Sequence, residues 1–443
     1  MRVEAAERGA SADRWSRRPW PRVDPVLGLW LATRVVLLVV SLNPRLYSAA
    51  LWGDVRFYGA KVERMFQGEL PYRDVATEYP PGSVPFTVLP ALVVGTGARY
   101  RLAFACEMLL VDLVGLGAAA RLARATDLAR RRIPLAYVLA MLAVGPLLVL
   151  RFDLVPAVCV LLAAACAAEG RPGWAAAALG YGTAAKIFPG VLAPLLVLGL
   201  VPAAGWRRSL YRTVPPFLAG FGLTVLPALL ISVRGTADSV LYHVQRGVQI
   251  ESLWANAIDL AHLAFGVPAT TVYGFGAYDL QSTWSGAAKS LSGAATLLTL
   301  GGAAWLVWWR ARRTGGLGPA DWAGAFAVGV FAFVLPTRVL SPQYLVWLAA
   351  PMAALAWSRD GRRSLFVLGA AALLSQVIFP FRYSQLRHLN GFDIGLLSVR
   401  NVLLVMACGL VVRAFLRGFL IHSGGSSLPP EPPQEPARPG GSS

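Results

Sequence analysis

The most constraining feature of this chain is the recurrence of apolar runs of near-spanning length from Pro25 to Phe415. Crossing the hydrocarbon core takes roughly 20 apolar residues as helix. A backbone in lipid must satisfy its own hydrogen bonds, which leaves helices as the solution for such runs. Only 14% of residues are charged, against about a quarter in soluble domains. The expected fold class is therefore all-α: a polytopic transmembrane helical bundle filling residues 25–420, with short amphipathic helices in its outer loops. Helices are expected near 25–42, 100–122, 133–150, 154–168, 173–185, 189–204, 213–233, 290–310, 320–336, 342–357, 364–380 and 395–414. Two polar segments, 43–99 and 234–289, interrupt the series. Residues 1–24 form an arginine-rich tail. Residues 421–443 include a Pro/Gly/Ser stretch too polar to bury a core, and are expected to be disordered.

The net charge of +18 suggests nucleic acid until its distribution is considered. Only Lys61, Lys186 and Lys289 are lysines; the remaining basic residues are arginines clustered between apolar runs. This is the pattern of loop charges that orient helices, so no nucleic-acid partner is implied. The four cysteines, Cys106, Cys159, Cys166 and Cys408, lie inside apolar runs without metal-site spacing, and no disulfide framework is expected. The first apolar run lacks a small-residue cleavage site and reads as a retained helix.

The run "SVPFTVLPALVVGTG" (83–97) is ambiguous, and charge decides it. If it dips in and returns, the loops at 121–132, 169–172, 205–212, 310–314 and 358–363 share a side and hold 15 arginines. The short loops opposite hold five basic residues. The positive-inside rule then gives twelve crossings, both termini cytoplasmic, and segments 43–99 and 234–289 outside a bacterial cytoplasmic membrane. Pro85 and Pro90 suit a re-entrant helix.

This topology gathers the informative residues on the outer face. Asp54 follows the first helix by a dozen residues. It reads either as a solvated loop acid or as an acid held at the membrane boundary near Trp52, where desolvation raises basicity and suits a general base. In "EYPPG", Pro80 and Pro81 stiffen a turn that presents Glu78 and Tyr79; the plain alternative is a helix-start signal. "LRFD" places Arg151 and Asp153 between apolar runs, as a local ion pair or as part of a site. In "TAAKIFPG", Lys186 is either a snorkelling lysine or a cation for phosphate. "HVQRGVQIESLWAN" reads as an amphipathic helix on the membrane, with Arg246, Gln249 and Glu251 as candidate polar ligands. "LPTRVLSPQYLVWL" offers Arg338 as a second phosphate cation and Gln343 and Tyr344 as sugar ligands. No P-loop, HExxH, GxSxG or DxD motif occurs, so an ATP-driven pump and a soluble nucleotide-sugar transferase are unsupported.

Taken in order, the outer-loop Asp, "GELPYRDVATEYPP", "RFD", "AAKIFP", "QRGVQIESLWAN" and "SPQYLVWL" resemble the polytopic GT-C glycosyltransferases over roughly residues 25–415. They are most similar to the bacterial family 87 group of polyprenyl-phosphate-mannose-dependent mannosyltransferases. The resemblance implies a lipid-linked sugar donor as co-substrate, a lipid or glycan acceptor, and no nucleotide or obligatory metal. By position it makes Asp54 the base; Lys186, Arg338 and Arg246, in that order, are the candidates for cations on the departing phosphate. Some mannoside-extending relatives carry histidines where Gln343 and Tyr344 stand, so it implies the reaction rather than the product. A transporter or flippase for a lipid-linked sugar or other solute, and a non-catalytic scaffold, are the rival classes. Transporters often show matching halves with broken helices, and no clear repeat is visible here.

Overall fold

The computed structural model describes residues 24–43, 45, 47, 53–127 and 130–423. Trp52 and both tails lie outside them, apart from Asp24 and the last residues of the final helix. The elements run α1 (Pro25–Leu42), α2 (Gly53–Phe66), α3 (Val84–Val94), α4 (Tyr100–Ala125), α5 (Arg132–Val144) and α6 (Leu147–Leu150). Next come α7 (Leu154–Ala168), α8 (Pro172–Ala185), α9 (Ala193–Ala204), α10 (Trp206–Ile231), α11 (Val233–Gln245) and α12 (Leu253–Phe265). A hairpin of β1 (Ala269–Gly274) and β2 (Ala277–Ser282) precedes α13 (Ser285–Thr314), α14 (Asp321–Val334), α15 (Tyr344–Ala353), α16 (Arg359–Gln376), α17 (Tyr383–Arg387) and α18 (Gly391–Ser423).

Six helices are long and apolar enough to cross a membrane, and shorter apolar helices accompany them. The chain is a multi-pass helical membrane protein. Its centre is α7, where every residue except Leu162 is buried; a helix apolar on all sides belongs inside a bundle. α14 and α15 are buried along most of their length beside it. Small residues set the closest approach. A Cβ on Gly180 of α8 would lie 2.9 Å from the Phe217 carbonyl carbon of α10, and one on Gly220 would lie 3.0 Å from that of Ala177. Backbones meet there as in small-residue membrane interfaces. A buried charge pins the N-terminal helix: Arg34 Nε sits 2.7 Å from Asp112 Oδ2, and Tyr137 donates to Oδ1 at 2.8 Å, joining α1, α4 and α5.

α3 spans eleven residues, about 16 Å of helix against about 30 Å of hydrocarbon. Both of its flanks return to α2: Tyr58 of α2 packs on Tyr79, and Gly59 lies 3.3 Å (as a built Cβ) from the Tyr100 ring. Both ends of α3 are thus tied to α2. The C-terminal ends of α6, α8, α14 and α16 and the N-terminal ends of α7 and α15 then all meet at one end of the bundle.

The segment 234–289 departs from expectation. The amphipathic helix expected over 243–256 is broken. α11 stops at Gln245, residues 246–249 run outside any helix, and Ser252 caps α12 by accepting from the Ala255 amide at 3.1 Å. This piece joins the hairpin, with Leu280 N–H donating to the Val248 carbonyl (2.8 Å) and Ile250 N–H to that of Tyr278 (3.0 Å). The hairpin closes on Phe275 and Gly276, both at positive φ (52° and 71°), the backbone that two-residue turns require.

Candidate active site

At the end where these helix termini meet lies a cavity of about 740 Å³, within the range of small-molecule sites. Its wall is assembled from distant segments, each placed by a break in regular structure. Asp54 stands in the first turn of α2. Arg151 is extended (φ −138°, ψ 138°) where α6 ends. Lys186 is extended where α8 stops before Pro189, whose ring cannot continue a helix. Arg246 follows the end of α11.

Arg151 and Asp153 are each joined to a charge from a distant segment. Arg151 Nε lies 2.9 Å from Asp54 Oδ2. Asp153 Oδ1 accepts from Lys186 Nζ at 2.7 Å and from Trp347 Nε1 at 3.0 Å. Lys186 is only 7% exposed. Its ammonium is ringed by Tyr79, Phe152, Tyr344 and Trp347, with centroids 5.0–5.6 Å away. Burial pulls Lys186 below its usual range, and Asp153 pulls it back. It is a caged, ion-paired cation rather than a snorkelling one.

Arg246 is buried, and its Nε has no hydrogen-bond partner. Among the described residues neither Arg246 nor Arg387, which donates to the Tyr278 hydroxyl at 2.6 Å, is matched to a carboxylate. The acids on the wall are matched: Asp54 to Arg151, Glu78 to Lys61, Glu251 to Arg400. The surplus is positive. His243 on the same wall reports it: burial, then the charges of Lys186 and Arg246, push its pKa down to about 4.

Glu78, Tyr79, Gln343 and Tyr344 also line the cavity. Tyr344 stacks on Trp347 at 3.7 Å, and Trp347 on Phe188 at 4.1 Å. Gln249 is fixed from both sides: its backbone N–H donates to the Arg338 carbonyl (2.9 Å) and its side-chain Oε1 accepts from Ser341 (3.1 Å). Glu251 is buried, with Oε1 unpartnered and Oε2 3.4 Å from Arg400. Burial raises its pKa to about 7.

Arg338 is the sequence candidate that the structure does not bring to the cavity. Its guanidinium donates to the carbonyls of Arg246 (3.0 Å) and Val244 (2.6 Å), strapping the segment that carries Arg246. Asp153 acts from behind Lys186. Sequence reasoning missed Tyr242, Tyr273, Phe275 and Tyr278 of the outer segment, and Tyr383, all on the wall. The signal for the hairpin was present: "TTVYGFGAYDLQS" is rich in β-branched and aromatic residues around a glycine-bearing turn. Among the described residues no three or more His, Cys, Asp or Glu gather in a metal-holding group.

The fold and cavity define a multi-pass helical membrane protein with an electropositive, aromatic-walled polar site at one end of its bundle. No family model matches the chain, and no curated protein matches it significantly. Among solved structures it is similar to ArnT from Cupriavidus metallidurans bound to undecaprenyl phosphate. That match has 19% identity and a TM-score of 0.47, and covers 92% of this chain and 81% of that one.

Proposed function

We propose that the protein is a GT-C-type inverting glycosyltransferase. It moves mannose from a polyprenyl-phosphate carrier to a lipid or glycan acceptor at the outer face of the cytoplasmic membrane. The observation that carries this reading is the juxtaposition of Asp54 with unmatched or caged cations in one cavity at a membrane boundary. The acceptor hydroxyl gives its proton to Asp54 as its oxygen bonds to the anomeric carbon. The bond from that carbon to the phosphate oxygen breaks on the opposite face, and the electron pair leaves with polyprenyl phosphate. Arg151 orients the base. Lys186 and Arg246 meet the charge that grows on the departing phosphate, where fixed cations in a water-poor site act most strongly. Gln249, Glu251, Gln343 and Tyr344 are placed to hold sugar hydroxyls, and Glu78 and Tyr79 to hold the acceptor. The scheme calls for no nucleotide and no metal.

The transporter reading needs a path to the opposite end of the bundle. The solid packing of α7, α14 and α15 beneath the cavity favours the transferase. The test is transfer of radiolabelled mannose from polyprenyl-phosphate-mannose into a mixed lipid extract, wild type beside Asp54→Asn. Removing a general base costs on the order of 10²- to 10⁴-fold. Equal transfer by both would remove Asp54 as the base; no transfer, together with solute uptake by vesicles, would favour the transporter.

A further inference from the structure

A second polar site lies at the far end of α16. Arg359, Arg362 and Arg363 of its first turns line a shallow cavity of about 410 Å³ whose floor is Phe366, Val367 and Leu410 of α18. The eighteen residues of α16 separate this site from the large cavity, about 27 Å along the helix. The arginines are organised rather than merely solvated. Buried Asp360 lies 3.1 Å from Arg417, 3.3 Å from Arg413 and 3.8 Å from Arg363. Arg362 donates to the Ala356 and Trp357 carbonyls at 3.3 Å. Three arginines thus converge on one carboxylate, with Arg359 and Arg362 beside them, which leaves the cluster well short of neutral. One turn deeper, Phe366 is 80% exposed, where a helix in a bilayer meets acyl chains.

We infer that this is a binding site for an anionic phospholipid of the leaflet opposite the catalytic cavity, its phosphate held by Arg359 and Arg363 and an acyl chain laid on Phe366. Basic pockets between helices are suited to such headgroups, and Arg forks match phosphate geometry. A free anion would use the arginines and ignore the apolar floor. The site owes nothing to the glycosyltransferase reading.

The test is native mass spectrometry of the detergent-solubilised full chain titrated with phosphatidylglycerol, with phosphatidylcholine of the same chains, and with glycerol phosphate. The wild type should hold phosphatidylglycerol at least about tenfold more tightly than phosphatidylcholine, given the contribution of each arginine near a headgroup. Arg359→Gln with Arg363→Gln should erase that preference, and Phe366→Ala should weaken both lipids alike. Arg207→Gln with Arg208→Gln, exposed in the first turn of α10 on the same side, should leave the preference intact and controls for bulk charge. Full displacement of phosphatidylglycerol by equimolar glycerol phosphate would overturn the inference. So would a preference that survives in the first double variant, or one lost equally in the second.

Discussion

Replacing Lys186 or Asp153, singly and together, tests the reasoning about the caged cation. The pair is 2.7 Å apart, with side chains 9% and 1% exposed. Breaking a buried pair from one side costs about 3–5 kcal/mol, because the survivor is left charged. Asp153→Asn leaves the ammonium among four rings, and cation–π attraction of about 1 kcal/mol offsets part of the loss; a cost of about 2–4 kcal/mol is expected. Lys186→Met leaves a carboxylate holding only the Trp347 N–H, with Oδ2 unpartnered, so its cost should sit at the upper end, about 4–5 kcal/mol. The double variant removes both charges and should cost less than the sum by at least about 2 kcal/mol. The assay is denaturant unfolding in micelles followed by intrinsic fluorescence, beside mannosyl transfer. The double variant should recover stability and remain inactive. Additivity within about 0.5 kcal/mol would refute the buried pair, and transfer by the double variant would refute Lys186 as the phosphate contact.

Arg338→Gln removes two bonds to the backbone around Arg246. It should lower stability by about 1–2 kcal/mol and raise KM for the polyprenyl donor more than it lowers kcat, since Arg246 loses its strap; an unchanged donor KM would count against this. Glu251 gives a pH signature. Its pKa rises from 4.5 to about 7 in the fold, so the native state holds a proton that the unfolded chain releases. Its stabilising contribution is complete below about pH 4.5 and is lost as pH climbs through about 7. Melting curves taken over that window should show the decline in the wild type and flatten in Glu251→Gln; parallel slopes would show that Glu251 is not the titrating group.

The helical series was legible because apolar length is a one-dimensional signal, and lipid allows few other solutions. Much of the cavity wall was legible for a related reason. In an oily chain each of Asp54, Lys186, Arg246 and Glu251 stands out, and all four lie at helix breaks that meet at one end. Pairing was not legible. Asp54 meets Arg151, and Glu251 meets Arg400 from within an ordinary-looking spanning helix, because packing rather than sequence spacing chooses partners in a bundle. Arg338 had the right charge and the wrong neighbour. The 243–256 stretch has helical spacing, yet the hairpin offered its backbone a ladder, and tertiary pairing overrode the local pattern.

The cavity wall runs from Gly53 in the second helix to Arg387 beside the last, and this orders events during the protein's synthesis. At ribosomal speeds of about 5–20 residues per second, Asp54 emerges tens of seconds before Tyr383 and Arg387 close the far wall. Arg151 arrives within that interval and can take up Asp54, but the aromatic cage waits for Tyr344 and Trp347. A chain stopped before Tyr344 would carry Asp54, Lys186 and Arg246 with the cage unbuilt, so the donor's phosphate would find charges without an enclosure. On the proposed reading, the site is complete only once the chain has passed Arg387, and a stop between Arg246 and Tyr344 would leave the cations without their cage.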